Sequence, residues 1–149
     1  MAIEFENEVQ EKVHGNIQKW LRELYGETLD SFDDRNFGVG IGSAYILVFV
    51  RPWGSDDCVI DIVSRVITDI DLTPDLMKFL LLTNKEIPFG VFCILPDPET
   101  RDIWLSENLV GSTCTKEELR ISMNVVGRVA DDYDDEIRNK WGGQRSVDG

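Results

Sequence analysis

A chain of 149 residues with 42% hydrophobic and 29% charged side chains has room for one domain with a full core, and its composition is globular rather than disordered. Its net charge of −13 repels phosphate backbones and anionic lipid, so nucleic acid and membrane surfaces are poor partners. The same charge favours solubility and basic partners, while a plain acidic surface accounts for it equally well.

The three cysteines, Cys58, Cys93 and Cys114, are far apart and odd in number. They form no CxxC pair and no Cys/His ligand spacing, so neither a zinc site nor a disulfide framework is indicated, and no cofactor is implied. Cys93 lies in an apolar run and reads as a buried thiol. This usage points to a reducing, cytoplasmic setting. The start, Met1 to Glu6, is acidic and lacks the pattern of a signal peptide. The longest apolar run, Ala44 to Val50, has seven residues, far short of a membrane span.

Ile3 to Tyr25 reads as an amphipathic helix. Phe5, Val9, Val13, Ile17, Trp20, Leu21 and Leu24 line one face at spacings of mostly three and four. Gly26 is a natural stop, and Gly15 is either a close packing point or incidental. Glu27 to Asn36 is polar and predicts a loop. Phe37 to Val50 predicts strand, broken near Gly42 and Ser43. Arg51 to Asp57, with Pro52, Trp53 and Gly54, predicts a turn, and Cys58 to Thr68 a further strand. In Tyr45 to Val50 both alternating sets are apolar, which predicts cover on both faces, from the chain's own helices or from another subunit.

Thr73 as N-cap and Pro74 at the first helical position open a helix over Thr73 to Thr83, with Leu76, Phe79, Leu80 and Thr83 inward. Pro88 to Leu95 and Asp102 to Leu105 predict a strand pair around Pro96-Asp97-Pro98. Leu109 to Gly111 leads out of it. The last helix begins at a capping box of Thr115 and Glu118. Its stripe of Leu119, Met123, Val126, Ala130, Tyr133 and Ile137 faces one way. A second strip of Ile121, Val125 and Val129 lies about a third of a turn away. Residues 141–149, with Gly142 and Gly143, predict a flexible tail, leaving 1–140 as a single domain.

Leu80 to Asn84, Ile87-Pro88-Phe89-Gly90, Ile103-Trp104-Leu105 and Thr115-x-x-Glu118-Leu119 with its long terminal helix resemble the YbjN family. That family is described as bacterial sensory transduction regulators and has the fold of type III secretion chaperones. The resemblance covers about the last half of the chain; the first half matches only in its order of elements. It implies an interaction or regulatory role, and its motifs are structural rather than catalytic. Small secretion chaperones are typically acidic dimers that bind an extended client segment.

Few clusters suggest chemistry. Gly38-x-Gly40-x-Gly42 is neither a dinucleotide nor a Walker motif, and strand follows it. Asp131 to Glu136 lies on a helix without the glycine turn of a calcium loop. It reads as a solvated face balanced by Arg128, Arg138 and Lys140, or as a landing strip for a basic partner segment. His14 is the only histidine and reads as a boundary residue. Trp53, in a turn, either caps the core or anchors a partner. Trp20 and Trp104 read as structural, and Trp141 as exposed.

The expectation is one α+β domain: an antiparallel sheet of about five strands with three helices, in the order α-β-β-β-α-β-β-α. The function expected is a non-enzymatic cytosolic protein-interaction module, chaperone-like or regulatory, working as a homodimer. Its partner or dimer surface would be Ile121, Val125, Val129 and Trp53. The alternative is a small-molecule-binding regulatory domain with an apolar pocket between sheet and first helix.

Overall fold

The structure, a computed structural model, describes residues 4–31 and 35–145. Its elements run α1 (Glu8–Tyr25), β1 (Leu29–Ser31), β2 (Phe37–Ile41), β3 (Ala44–Trp53), β4 (Asp57–Thr68), α2 (Pro74–Glu86), β5 (Val91–Cys93), β6 (Ile103–Val110), α3 (Lys116–Trp141) and β7 (Gln144–Arg145), with a short 3-10 turn at Gly26–Thr28. The strands form one antiparallel sheet in the order β1-β2-β3-β4-β6-β5, and β7 pairs with β4.

The class is the expected α+β with three helices, but the sheet has seven strands rather than about five. The two additions are very short. β1 falls in the stretch read as a polar loop, and β7 in the stretch read as a tail. β7 pairs its backbone with Ile67 and Thr68, and Arg145 reaches Asp135. Two or three residues recruited by a neighbour's backbone carry no hydrophobic period of their own, so pattern reading passes over them.

α1 starts at Glu8, five residues after its expected start at Ile3, which lies outside the described residues. Asn7 caps it, accepting the Gln10 amide at 2.7 Å, and its Nδ2 donates to the carbonyls of Gly54 and Asp57. Gln10 is fully buried and donates from Nε2 to the Val50 carbonyl at 3.1 Å. Asn7 ties the helix start to the β3–β4 turn and Gln10 ties it to β3, and both satisfy groups that would be costly to leave unpaired. Gly15 is exposed with open space beyond it, so it marks no close packing. His14, read as a boundary residue, is buried between Phe5 and Phe37, with Nε2 3.0 Å from the Arg35 carbonyl.

The core lies between one sheet face and the helices. Ala44, Ile46, Val48 and Val50 of β3 and Cys58, Ile60, Ile62 and Ser64 of β4 are buried there with Val13, Ile17 and Leu21 of α1 and the main stripe of α3. The other set of β3 is not covered in the way the sequence predicted. Tyr45 is exposed and Leu47 and Phe49 are half-buried, on a face shared with Val63, Asp61, Val59 and Arg51. The Arg51–Asp61 ion pair lies across it. Among the described residues no helix of the chain covers that face, and neighbouring side chains with an ion pair shield it in part.

α2 runs three residues beyond its expected end, and its last turn carries Asn84. β5 is shorter than expected because Pro88 lacks a donor and Gly90 turns the chain at φ 80°. β6 is longer and takes in Leu109 and Val110, paired with Ile60 and Val59. Past it, Gly111 donates to the Cys58 carbonyl at 2.8 Å. A Cβ there would sit 2.1 Å from the Cys58 Sγ, so only glycine fits. Asp57 completes this stitch by accepting from the Cys58 amide and from the amide and hydroxyl of Ser112. Trp141, read as exposed, is half-buried against Phe79 at 4.5 Å between ring centres.

Candidate functional site

The capping box sets where α3 begins and therefore which way its second strip faces. Thr115 accepts the Glu118 amide and Glu118 accepts the Thr115 amide, as the sequence predicted. One turn later the helix carries Ile121, then Val125 and Val129 at four-residue steps. The buried stripe turns inward. The second strip turns toward the connection between α2 and β5.

These two walls enclose a groove of about 570 Å³. Ile121, Val125, Val129 and Tyr133 form one side, Ile87, Pro88 and Phe89 the other, and Glu86, Arg120, Asn124, Arg128 and Asp132 the rim. Phe89 and Ile121 are 52% and 44% exposed, whereas Val125, Val129 and Ile87 are half-buried. Tyr133 packs edge-on against Phe92 at 5.4 Å. Burial, then the charges of Glu136, Glu86 and Asp132, push its phenol pKa up, so it remains a neutral hydroxyl. Arg120 is held by Glu117. Among the described residues Arg128 makes no ion pair.

The far wall is fixed at its base. The Ile87 amide closes the last turn of α2 on the Thr83 carbonyl at 3.0 Å. The Asn84 side chain accepts from the Phe92 amide at 2.6 Å and donates to the Phe92 carbonyl at 3.2 Å. The segment between them is thereby a short closed loop that presents Ile87 and Phe89.

The structure brings together three of the four residues singled out from the sequence. Trp53 is apart from them. It stands 64% exposed at the end of β3, on the open sheet face, beside a shallower depression of about 430 Å³ lined by Arg51, Val59, Asn108 and Val110 among others. Sequence reading missed the opposing wall because Pro88 and Phe89 were assigned to a strand, and it gave Tyr133 of the α3 wall wholly to the core. The available signal was Pro88 followed by Gly90, which ends regular pairing.

The three thiols are held in their protonated form. Burial, reinforced by Asp57, pushes the Cys58 thiol up to about 11. Burial with Glu118 does the same for Cys114, also to about 11. Cys93 is raised by burial as well, although it is half-buried rather than the fully buried thiol expected. Such thiols stay protonated and unreactive at neutral pH. Among the described residues no group of three His, Cys, Asp or Glu side chains could hold a metal ion, and no helix is long and apolar enough to cross a membrane. The groove itself is apolar with a charged rim.

Residues 11–149 match the TY-Chap1 family, described as T3SS (YopN, CesT) and YbjN peptide-binding chaperone 1. The chain belongs to this family. Membership in TY-Chap1 extends the YbjN resemblance, drawn from motifs in the last half, across nearly the whole chain. A solved structure shares the fold: an uncharacterized protein from Methanothermobacter thermautotrophicus aligns with a TM-score of 0.60 and 17% identity over 87% of this chain and 99% of that one. No curated protein matches this TY-Chap1 chain.

Proposed function

We propose that this TY-Chap1 protein is a cytosolic, non-enzymatic peptide-binding module, chaperone-like or regulatory, whose groove between α3 and Ile87–Phe89 holds an apolar stretch of its client. The observation that carries this is the second strip of α3. Ile121 and Val125 lie outside the core and Val129 at its margin; all three meet a second apolar wall across an open groove. Open apolar surface with a polar rim is the form binding sites take. The family description, a peptide-binding chaperone, supports the same reading.

Affinity capture from native lysate with the wild-type chain and with Val125→Asp tests it. A protein retained by the first and released by the second is expected. Equal retention by both, or no stoichiometric partner on the wild type, would refute the groove.

Self-association as a homodimer belongs to the proposal on a different surface. Leu81 and Leu82, 72% and 60% exposed on the outer side of α2, are the apolar pair most costly to leave in water. A small-molecule ligand is the second reading, favoured by the groove's volume, which lies within the range of ligand pockets. Its expected location has moved, because Val13, Ile17 and Leu21 are buried at the interface of α1 and the sheet. A metabolite screen by thermal shift distinguishes the two readings.

A further inference from the structure

Cys58 and Cys114 are far apart in sequence, and the fold brings them to one turn. Cys58 is the first buried residue of β4. Gly111, just past β6, donates to the Cys58 carbonyl at 2.8 Å, and its own carbonyl accepts the Cys114 amide at 3.2 Å. One glycine thus bonds to both cysteines. The Cys58 Sγ lies over it, in the space where a Cβ at Gly111 would stand. Cys114 closes the turn and packs against the same core that buries Cys58. The two thiols sense each other, since Cys58 is among the groups that raise the Cys114 pKa, after burial and Glu118. Cys93 is set apart from both. It stands opposite Trp104, which stands opposite Arg65, on the other face of the sheet.

We propose that Cys58 and Cys114 are a redox modification site, a pair that closes to a disulfide when a small-molecule disulfide is in excess and fastens the start of β4 to the start of α3. Cys114 is half-buried and Cys58 buried, which orders the steps. The Cys114 thiolate attacks one sulfur of the small disulfide and forms a mixed disulfide. The departing thiolate takes up the proton that Cys114 lost. The Cys58 thiolate then attacks the Cys114 sulfur, the protein disulfide forms, and the second small thiolate leaves and takes up the Cys58 proton. Two cysteine thiols are oxidised and one small disulfide is reduced to two thiols. A small thiol in excess reverses both steps. The charges acting on the pair, Asp57 beside Cys58 and Glu118 beside Cys114, are both acidic and add to burial in keeping the protons on. At neutral pH little thiolate forms, so closure needs sustained exposure and quickens as the pH rises. The bond joins the sheet to the residue before the Thr115 cap, where α3 begins. The loop it closes takes in α2, β5 and β6, so the unfolded chain loses much of its freedom.

The test incubates the full chain carrying Cys93→Ser with excess oxidised glutathione at about pH 8.5, where thiolate is more plentiful. Intact mass and non-reducing peptide mapping follow the reaction. The expected product has lost two hydrogens, carries no glutathione and links Cys58 to Cys114. Adding Cys58→Ser should stop the reaction at one glutathione on Cys114. Adding Cys114→Ser should leave the buried Cys58 unmodified. The oxidised chain should melt about 5–10 °C above the reduced one, an advantage that dithiothreitol removes. The unsubstituted chain, mapped in the same way, keeps the test valid if a variant folds poorly. Glutathione retained on Cys114 while Cys58 is present would overturn the pair, because the sulfurs would then be out of reach. So would the absence of any reaction, a link through Cys93 in the unsubstituted chain, or an oxidised chain that melts below the reduced one. A disulfide between two copies, seen as a doubled mass without reductant, would overturn it as well.

Discussion

Asp134 lies within the acidic run of α3, and its neighbours behave as a solvated face should: Asp135 meets Arg138, and Glu136 meets Lys140. Asp134 itself is buried. Desolvation raises its pKa, with Asp135 and Asp131 adding to the rise and the Asp135 amide and Arg145 opposing it. An acid whose folded pKa exceeds its unfolded value costs stability once ionised. That penalty is absent below the unfolded pKa and complete above the folded one. Asp134→Asn should therefore raise the urea midpoint at pH 7, with the gain fading as the pH falls through the carboxylate range. A midpoint unchanged at pH 7 would show that the carboxylate is adequately solvated. Gly111 gives a prediction of the opposite sign. A methyl group 2.1 Å from the Cys58 Sγ and 2.9 Å from the Cys58 carbonyl cannot be accommodated by a flexible side chain moving away. Gly111→Ala should cost about 2–3 kcal/mol, the range for overpacking, read from the shift of the urea midpoint. Neither residue announces its role in the sequence. Asp134 looks like its acidic neighbours, and a single glycine after a strand looks like any turn.

The helices were the most legible elements because their signals are local. The Thr73 and Thr115 caps, Pro74 and the main stripe of α3 rest on residues within one or two turns of their neighbours, and all but Tyr133, which is only half-buried, stand where their spacing put them. The start of α1 was misjudged because its cap is decided by a distant partner, the β3–β4 turn that Asn7 reaches. The second face of β3 also depends on distant partners. A run of apolar residues on both sides of a strand suggests cover on both faces, but within the chain neighbouring side chains leave Leu47 and Phe49 half-buried and Tyr45 exposed. The groove was half legible: the strip on α3 could be counted along one helix, whereas its opposing wall depends on how the α2–β5 connection folds back. At this scale the outer side of α2 yields a prediction. Leu81 and Leu82 contribute nothing to the core, so Leu81→Asp with Leu82→Lys should leave the melting temperature within a few degrees. If α2 is the dimer surface, light scattering should show the double variant as a monomer where the wild type is a dimer. A wild-type monomer, or a double variant still dimeric, would remove α2 from the proposal.

At the scale of the whole molecule, a client held in the proposed groove would have charge and groove divide the work of binding between them. A net charge of −13 acts at a distance, steering a basic segment toward the surface, and salt screens it beyond about 10 Å at 0.1 M. The apolar walls act only on contact and are far less sensitive to salt. The two contributions should separate kinetically. For a peptide with an apolar centre and lysine flanks, raising the salt from 50 to 500 mM should lower the association rate about tenfold and leave dissociation nearly constant. Val125→Asp should do the reverse. It removes an apolar contact worth roughly 2 kcal/mol and puts a carboxylate on the groove wall, so the complex should dissociate about thirtyfold faster with little change in association. Stopped-flow measurement at both salt concentrations reads the two rates independently. If salt changed dissociation as strongly as association, the peptide would be held by its lysines on the acidic surface, and the groove would have no part in holding it.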